Sequence, residues 1–344
     1  MPKTLLCLAA LTLGATGCAH GSGLSREPAQ LFAYHAGPES LSVSTYYAVG
    51  PRGVVVFDAP LDDADVKALS QEIRINTALK VEAVVVTSAQ PERFAGAGEL
   101  ASLTGSELMA TRSTRETIES SGAELVKDVQ DRYAIEAPMI TLDPASTLTT
   151  GETVTVAGVR LEPIAAGAGP VVGMSAIYLP RQRALIAGGL VFDGVHPRVC
   201  GGRSDVWIAS LEALTELDVV TVLPGTGHTG GPELIQGDIL YLRALQAAVT
   251  AQQPFEIPYN RGAEDAVVAS MSEVYGHWAL ESALRASIAD EWLRQGGFPA
   301  AFAGGPVEHE PIMLPGEPEP GEAPEESLAP LFGLEPPDEP IPAP

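Results

Sequence analysis

Positively charged residues are scarce in this sequence. Its 344 residues include 20 lysines and arginines against 44 aspartates and glutamates, which gives a formal net charge of −24 at pH 7. Nucleic-acid phosphates are held mainly by Lys and Arg side chains, so this balance argues against a nucleic-acid partner. Hydrophobic residues make up 45% of the chain, which is ordinary for a globular core.

The N-terminal hydrophobic run is too short for a membrane-spanning helix. Lys3 precedes the apolar stretch Leu5 to Leu13, and small residues follow it. This layout predicts a secretory signal over residues 1–17. Ala15 to Cys18 resembles a bacterial lipobox, although alanine replaces the usual leucine three places before the cysteine.

The lipobox resemblance implies that Cys18 is acylated and that residues 18–30 form a lipidated N-terminus and linker. Two or more acyl chains would anchor the protein stably to a membrane. Because His20 stands where an aspartate would direct sorting, we expect an exported lipoprotein retained at the outer membrane. The alternative is an ordinary signal cleaved nearby, with Cys18 incidental.

Cysteine is rare, with three residues in the chain. Cys7 would leave with the signal and Cys18 would be acylated, so Cys200 would remain alone. A disulfide within one chain is therefore not expected. We interpret Cys200 as a buried or loop thiol, because Arg198, Val199 and Gly201 around it offer no base.

The C-terminal segment, residues 304–344, has the composition of a disordered acidic tail. From Pro306 onward it contains twelve prolines, ten acidic residues and no lysine or arginine. Such a segment cannot bury enough apolar surface to offset its ordering entropy. The apolar island Leu328 to Leu334 could dock on a protein partner, or it could be random composition in a linker.

Between the two ends, strand-like and helix-like segments alternate. Continuous apolar runs such as Val81 to Val86 are typical of strands covered on both faces. Strands flanked by helices in two successive runs predict two sheets between helices, over residues 31–231. Leu234 to Gln252 and Glu264 to Gln295 are largely helical in pattern, which predicts a helical extension over residues 232–303.

One segment combines a buried strand with a glycine-containing helix start. Val81 to Leu100 reads VEAVVVTSAQPERFAGAGEL. It resembles the signature segment of the metallo-β-lactamase superfamily, in which Thr-His-x-His-x-Asp-His precedes a glycine-rich helix start. Thr87 and the glycines are kept, whereas the four metal-binding positions hold Ser88, Gln90, Glu92 and Arg93.

Four further segments resemble the same superfamily in the same order along the chain. Val54 to Leu61 is similar to a family strand that ends in aspartate, with Asp58 at that position. Trp207 to Leu214 resembles a helix of the quinoprotein-relay-like branch. The other three segments are Gly169 to Pro180, Ala184 to Phe192 and Val222 to Gly227. In them the remaining metal positions, two histidines and a bridging aspartate in the family, hold Pro170, Thr226 and Gly189. The resemblance implies an α/β fold, an αββα sandwich.

These seven positions lack the donors that zinc needs. Zinc takes imidazole, thiolate or carboxylate ligands, and only Glu92 supplies a strong donor. Arg93 would repel a dication, because a guanidinium stays charged at physiological pH. We therefore expect no cofactor, with zinc absent, and a degenerate member of the superfamily.

Four other residues keep a catalytic interpretation open. Asp58, Asp193, His196 and His228 could supply a relocated metal site or an acid/base pair. Histidines beside glycines are more often hydrogen-bonding loop residues, and an aspartate in a turn commonly holds backbone N–H groups. Arg93 could bind an anion in the vacated site, or it could pair internally with Glu92 or Asp58.

The first functional hypothesis is a non-catalytic envelope lipoprotein, a pseudo-hydrolase that serves in binding or scaffolding. It would contact the membrane through lipidated Cys18 and a protein partner through the acidic tail. The alternative is a metallo-β-lactamase-fold hydrolase with a relocated or mononuclear site using Asp193, His196 and His228. A third hypothesis assigns the main role to partner docking by the tail.

Overall fold

The structure is a computed structural model that describes residues 28–37, 40–133 and 138–298. The predicted signal, the predicted lipidation site Cys18 and the predicted disordered tail lie outside the described residues, and of the predicted linker only residues 28–30 are described. Within the described ranges, no helix combines the length and the apolarity needed to cross a membrane.

The first sheet contains six strands in the order β1-β2-β3-β4-β5-β6. Its strands are Gln30–His35 (β1), Ser44–Gly50 (β2), Gly53–Phe57 (β3), Val81–Val86 (β4), Glu107–Thr111 (β5) and Thr147–Leu148 (β6). β1, β2 and β3 pair antiparallel, whereas β3 to β6 pair parallel. The apolar runs of β3 and β4 are fully or almost fully buried, as expected of central strands covered on both faces.

The second sheet contains five strands in the order β11-β10-β9-β8-β7. Its strands are Val154–Val156 (β7), Val159–Ala168 (β8), Val172–Leu179 (β9), Ala184–Phe192 (β10) and Thr221–Thr226 (β11). β7 to β10 pair antiparallel, and β10 pairs parallel with β11. The register of β10 against β11 shifts around Gly188, where the backbone takes a positive φ of 51°. An isolated antiparallel bridge between Val43 and Thr226 joins the two sheets at one end.

Eight α-helices cover the sheets in the described parts of the chain. They are Asp63–Asn76 (α1), Pro91–Phe94 (α2), Ala97–Thr104 (α3), Arg112–Tyr133 (α4), Ser204–Leu214 (α5), Glu233–Ala251 (α6), Arg261–Tyr275 (α7) and Glu281–Arg294 (α8). Side-chain caps fix two of their starts: Asp62 accepts from the N–H groups of Ala64 and Asp65, and Asn260 accepts from Ala263.

Three apolar layers hold the architecture together. Side chains such as Phe57, Val85 and Ile186 fill the space between the two sheets. The outer face of the first sheet packs against α1, α3 and α4, and that of the second sheet packs against α5 to α8. Burying apolar area at about 25 cal/mol per Å² makes these layers the main source of stability. Trp207 and Trp292 are fully buried in the second outer layer, which α5 to α8 share with the sheet.

The pattern-based elements match the structure except for two strands of the first sheet. Glu264 to Gln295, predicted to be largely helical, is covered by α7 and α8, which are separated at residues 276–280. Leu280 takes a left-handed conformation there, and Ala279 pairs with the backbone beside Val195. The sequence pattern does not predict the edge strand β1, whose half-exposed residues alternate only weakly, or the two-residue strand β6.

Candidate functional site

The candidate site lies where parallel strands of both sheets end. Asp58 follows β3, Thr87 follows β4, Gly189 lies within β10 and Thr226 ends β11. Carboxyl ends of parallel strands are where open α/β sheets usually bind ligands. The fold thus brings together Gln90, Arg93 and Gly189, three of the positions that the resemblance assigned to metal ligands.

Asp58 ties the ends of β3 and β4 together. Its carboxylate accepts the Thr87 backbone N–H at 2.7 Å through Oδ1 and the Thr87 hydroxyl at 2.7 Å through Oδ2. Its φ of 62° is uncommon for a residue other than glycine. Burial raises the pKa of Asp58, while the charge of Arg93 and the bonds from Thr87 act in the opposite direction. Asp58 therefore holds the backbone N–H of Thr87 at the end of the neighbouring strand.

Arg93 occupies the centre of the site. Its side chain is only 1% exposed, and its Nη1 lies 3.9 Å from Asp58 Oδ2. The helix α2 places it there: Pro91 begins the helix, and the Arg93 carbonyl accepts the N–H of Ala59 beside Asp58. The predicted internal ion pair is confirmed with Asp58 as the partner.

Two glycines make room for this guanidinium. A Cβ on Gly189 would overlap Gln90 Oε1 and lie 2.9 Å from Arg93 Nε. A Cβ on Gly225 would overlap both Arg93 Nη2 and the backbone oxygen of Gly188. The position assigned to the bridging aspartate is therefore filled by neighbouring side chains.

The remaining polar residues of α2 and the turn before it bond to one another. Ser88 Oγ donates to Gln90 Oε1 at 3.2 Å, and Gln90 Nε2 donates to Glu92 Oε1 at 3.1 Å. Ser88 and Gln90 are buried, and Glu92 keeps part of its surface exposed. Burial raises the pKa of Glu92, and the positive charges of Arg93 and Arg198 oppose that shift.

These residues do not fit a zinc ion. Pro170 is buried in the turn between β8 and β9 and has no donor side chain, and Thr226 offers a hydroxyl, which is a weak ligand. A charged guanidinium stands among the assigned metal positions, where it would repel a dication. In the described parts of the chain, no three or more His, Cys, Asp or Glu side chains are grouped so as to hold a metal.

Asp193 and His228 form a pair at the surface end of the site. Asp193 Oδ2 accepts the His228 backbone N–H at 3.1 Å and lies 3.5 Å from its Nδ1. The His228 side chain is 61% exposed, and its ring centroid lies 6.3 Å from that of His35. His228 therefore faces solvent.

His196 has different neighbours. It is buried, its Nδ1 lies 3.0 Å from the Tyr241 hydroxyl, and its ring packs against Trp278. The four candidate residues thus fall into three sets: Asp58 beside Arg93, Asp193 beside His228, and His196 within an aromatic cluster.

Burial lowers the pKa of His196 to about 4. Since its folded-state pKa lies below the unfolded value near 6.5, protonation favours the unfolded chain as the pH falls from about 6.5 towards 4. Between pH 7 and pH 4.5 the native protein should lose about 2 kcal/mol more unfolding free energy than His196→Gln. Urea unfolding of both proteins across this range measures the difference, and parallel pH profiles would contradict it.

Asp238 was not singled out from the sequence. It lies on the apolar face of α6 with Ile235 and Leu242. An acidic residue at a position where the helical pattern predicts a buried apolar one could have identified it from the sequence. Its Oδ2 accepts the Phe192 N–H at 2.8 Å, while Oδ1 has no partner within the described ranges. Burial raises the pKa of Asp238 well above its ordinary value, so the buried group favours its neutral form.

Cys200 is a free, partly buried thiol in a short 3₁₀ turn, Cys200–Gly202. Burial raises its pKa, and the positive charge of Arg198 acts in the opposite direction. A raised thiol pKa reduces the thiolate fraction, which is the reactive form. This agrees with the interpretation of Cys200 as a thiol that is not a nucleophile.

Two solved structures resemble this chain over most of its length. A metallo-beta-lactamase family protein from Thermus thermophilus matches 80% of this chain and 96% of its own, with 19% identity and a TM-score of 0.58. A beta-lactamase domain protein from Burkholderia ambifaria matches 77% of this chain and 86% of its own, with 17% identity and a TM-score of 0.54. The chain therefore has a metallo-β-lactamase-like fold, as the resemblance implied.

At this level of identity the likeness concerns the fold and not the chemistry. No protein-family model matches the sequence, and no curated protein matches it.

Proposed function

We propose that this protein is an exported envelope lipoprotein whose metallo-β-lactamase-like domain is non-catalytic and serves in binding or scaffolding. The observation that supports it is the position of Arg93, whose buried guanidinium lies among the assigned metal positions and pairs with Asp58. Arg93 would then act as a permanent internal cation. It would neutralise Asp58, the carboxylate at the floor of the site.

The chemistry of the site supports the same proposal. Hydrolases that use a bound divalent cation depend on it to produce hydroxide near neutral pH and to polarise the substrate. A guanidinium does neither, because it stays protonated and has no vacant coordination position. The two nearby carboxylates, Asp58 and Glu92, accept hydrogen bonds from Thr87 and Gln90.

The proposed location comes from the sequence alone. The secretory signal and the lipobox-like Ala15 to Cys18 support export and anchoring at the outer membrane. The acidic segment from Pro306 onward supports a role in contacting a protein partner. Both regions lie outside the described residues.

One observation favours the second candidate, a hydrolase with a relocated site. Asp193 and His228 lie close enough to act as an acid/base pair, and His228 is accessible to a substrate. His196 would have to contribute from its buried position beside Tyr241, which is the weaker part of this candidate.

Elemental analysis and activity assays separate the two candidates. The full-length protein, purified from native membranes without chelators, should contain Zn, Fe and Mn at well below stoichiometric levels. It should not hydrolyse β-lactam, thioester or phosphodiester substrates. Stoichiometric, tightly bound metal would overturn the proposal, and so would hydrolysis that His228→Ala or His196→Ala abolishes.

A further inference from the structure

Exposed basic side chains cluster at the end of the sandwich opposite the candidate site. This end holds the amino ends of β3, β4, β10 and β11, whose carboxyl ends form that site. Five of the 20 lysines and arginines lie in or beside the segments that join elements here, and all five are exposed: Arg52, Lys80, Arg160, Arg181 and Arg183. In a chain with a formal net charge of −24, such a concentration of positive charge is unexpected. We call this surface the basic face.

Backbone hydrogen bonds hold the segments of the basic face together. The Arg52 N–H donates to the Ala157 carbonyl at 3.1 Å, which ties the β2–β3 turn to the β7–β8 turn. Arg160 is the second residue of β8, directly after that turn. The Lys80 carbonyl accepts the Val54 N–H at 2.7 Å, which places Lys80 beside the start of β3. These three cations are therefore carried by one fixed part of the fold.

The chain enters the fold at the same face. Gln182, in the β9–β10 turn between Arg181 and Arg183, donates from Nε2 to the Ala29 carbonyl at 3.2 Å. The next residue, at position 30, begins β1 and pairs with the end of β2 beside the β2–β3 turn. From Cys18 to residue 28 the chain can span at most about 35 Å. Acyl chains on Cys18 would therefore hold a membrane within that distance of the basic face.

Acidic residues offset only part of the charge of the basic face. Asp218 pairs with Arg183, Glu216 precedes it, and Glu82 lies on β4 beside the face. The other four cations are not in ion pairs with carboxylates in the described part of the chain. Two further acidic residues lie towards the far edge of the first sheet, beside β5 and β6: Glu107 and Asp143. Five cations against three acidic residues leave the basic face net positive.

We propose that the basic face contacts anionic phospholipid headgroups of the membrane in which Cys18 is anchored. This inference rests on the proposed function, because it needs the acyl chains on Cys18. Each Lys or Arg near an anionic membrane surface strengthens binding about fivefold, and the attraction falls off within about 8 Å. Because the rest of the chain is strongly acidic, the same surface repels its other faces. The candidate site would then face away from the membrane.

Two exposed apolar side chains beside the basic face support a membrane as its partner. Leu79 directly precedes Lys80 and is 41% exposed. Val220 is 52% exposed, and its N–H donates to the Arg183 carbonyl at 2.8 Å. Apolar side chains among basic ones are typical of surfaces that lie in the headgroup region of a membrane. Both kinds of side chain therefore point to the same partner.

Lysine acylation of the membrane-anchored protein tests this contact. The protein, purified from native membranes, is inserted into preformed vesicles of phosphatidylcholine alone or with about a third phosphatidylglycerol. An uncharged acylating reagent and mass spectrometry then give the reaction rate of each lysine. Acylation needs the neutral amine, and an anionic surface concentrates protons about threefold. Lys80 should therefore react at least threefold more slowly on the anionic vesicles than on the neutral ones.

Lys127 is the internal control for this measurement. It lies on α4 next to Asp128, whose Oδ2 is 4.0 Å from Arg198 Nη1 beyond the carboxyl end of β10. This is the end of the molecule opposite the basic face. Because the membrane potential falls off within about 8 Å, Lys127 should react at the same rate on both kinds of vesicle.

A charge-removing double variant identifies the residues responsible. Arg52→Gln with Arg181→Gln removes two contacts of about fivefold each, which weakens the preferred orientation about 25-fold. Lys80 should then react on anionic vesicles as fast as it does on neutral ones. Arg112→Gln with Arg261→Gln is the matched control, because it changes the net charge equally at two exposed arginines outside the basic face and should leave the slow reaction of Lys80 unchanged.

Flotation of the protein with the vesicles separates the two proposals. Protein that does not float overturns the lipoprotein proposal and the membrane contact with it. Protein that floats, but in which Lys80 reacts equally on both vesicles or Lys127 is slowed as much as Lys80, overturns the basic face alone. If circular dichroism shows that the double variant is unfolded, salt replaces it: about 0.5 M NaCl shortens the screening length to about 4 Å and should abolish the difference at Lys80 in the native protein. A difference that persists in that salt would contradict the proposal.

Discussion

Replacing Arg93 by methionine is expected to lower the unfolding free energy by about 3 to 5 kcal/mol at pH 8. Removing one partner of a buried ion pair leaves the other charge without compensation, and losses of that size follow. Asp58 is the partner here, and its carboxylate is almost fully buried. Methionine keeps a long apolar side chain between Gly189 and Gly225, so the loss of unfolding free energy reflects the missing charge more than missing volume.

The loss should depend on pH in a defined direction. Without Arg93, the folded-state pKa of Asp58 rises further above its unfolded value near 3.9. Asp58 would then hold its proton more tightly in the folded state than in the unfolded state. The unfolding free energy of the variant should therefore be highest below the unfolded pKa and should decrease as the pH rises. Arg93→Met should therefore be closer to the native protein at pH 5 than at pH 8.

Urea unfolding of four proteins tests this expectation. The native protein, Arg93→Met, Asp58→Asn and the double variant form a mutant cycle, and asparagine tolerates the positive φ at position 58. The double variant should be less destabilised than the sum of the single variants. Arg243→Met is the control, because its ion pair with Glu212 is solvent-exposed and should cost at most about 1 kcal/mol. A cost that small for Arg93→Met would contradict the expectation.

Adding one methyl group at Gly225 is expected to cost about 3 kcal/mol or more of unfolding free energy. The new Cβ would overlap the backbone oxygen of Gly188 and the Nη2 atom of Arg93. Overpacking in a rigid interior usually costs about 1 to 3 kcal/mol, and a clash with backbone cannot be relieved by rotating a side chain. Arg93 would also be displaced from Asp58.

Gly237 provides a matched control with the opposite sign. It lies within α6, and a Cβ there would meet nothing within 4 Å. Gly237→Ala should raise the unfolding free energy by about 0.5 to 1 kcal/mol through helix propensity and reduced unfolded-state entropy. Thermal or denaturant unfolding measures both variants. Equal stabilities for Gly225→Ala and Gly237→Ala would mean that the packing around Arg93 is looser than described.

The arrangement of two sheets between helices could be predicted because the sequence pattern of each strand and helix lies within that element. The buried runs of β3 and β4 and the apolar spacing of α1 mark their elements directly. The exact break between α7 and α8 is marked in the sequence only by Gly276, which ends α7, and its geometry includes the pairing of Ala279 with Val195. Tertiary contacts override local preference at such positions.

The candidate site could be predicted in its composition but not in its packing. The sequence places a guanidinium at position 93 and a glycine at position 189, and the resemblance aligned both with lost ligands. The sequence does not show that the glycine at position 189 leaves room for the guanidinium at position 93, because that fit depends on distances between the two sheets. For the same reason, only the structure shows that Asp193 pairs with His228 whereas His196 lies beside Tyr241.

The mutual fit of Arg93, Gln90 and Gly189 has an evolutionary consequence. Aspartate at position 189 would collide with Gln90 and crowd Arg93, and histidine at position 90 alone would still face a guanidinium. These two single steps towards a metal-binding site are therefore obstructed as long as Gln90 and Arg93 are both present. Restoring such a site would require Gln90 and Arg93 to change before an aspartate could fit at position 189.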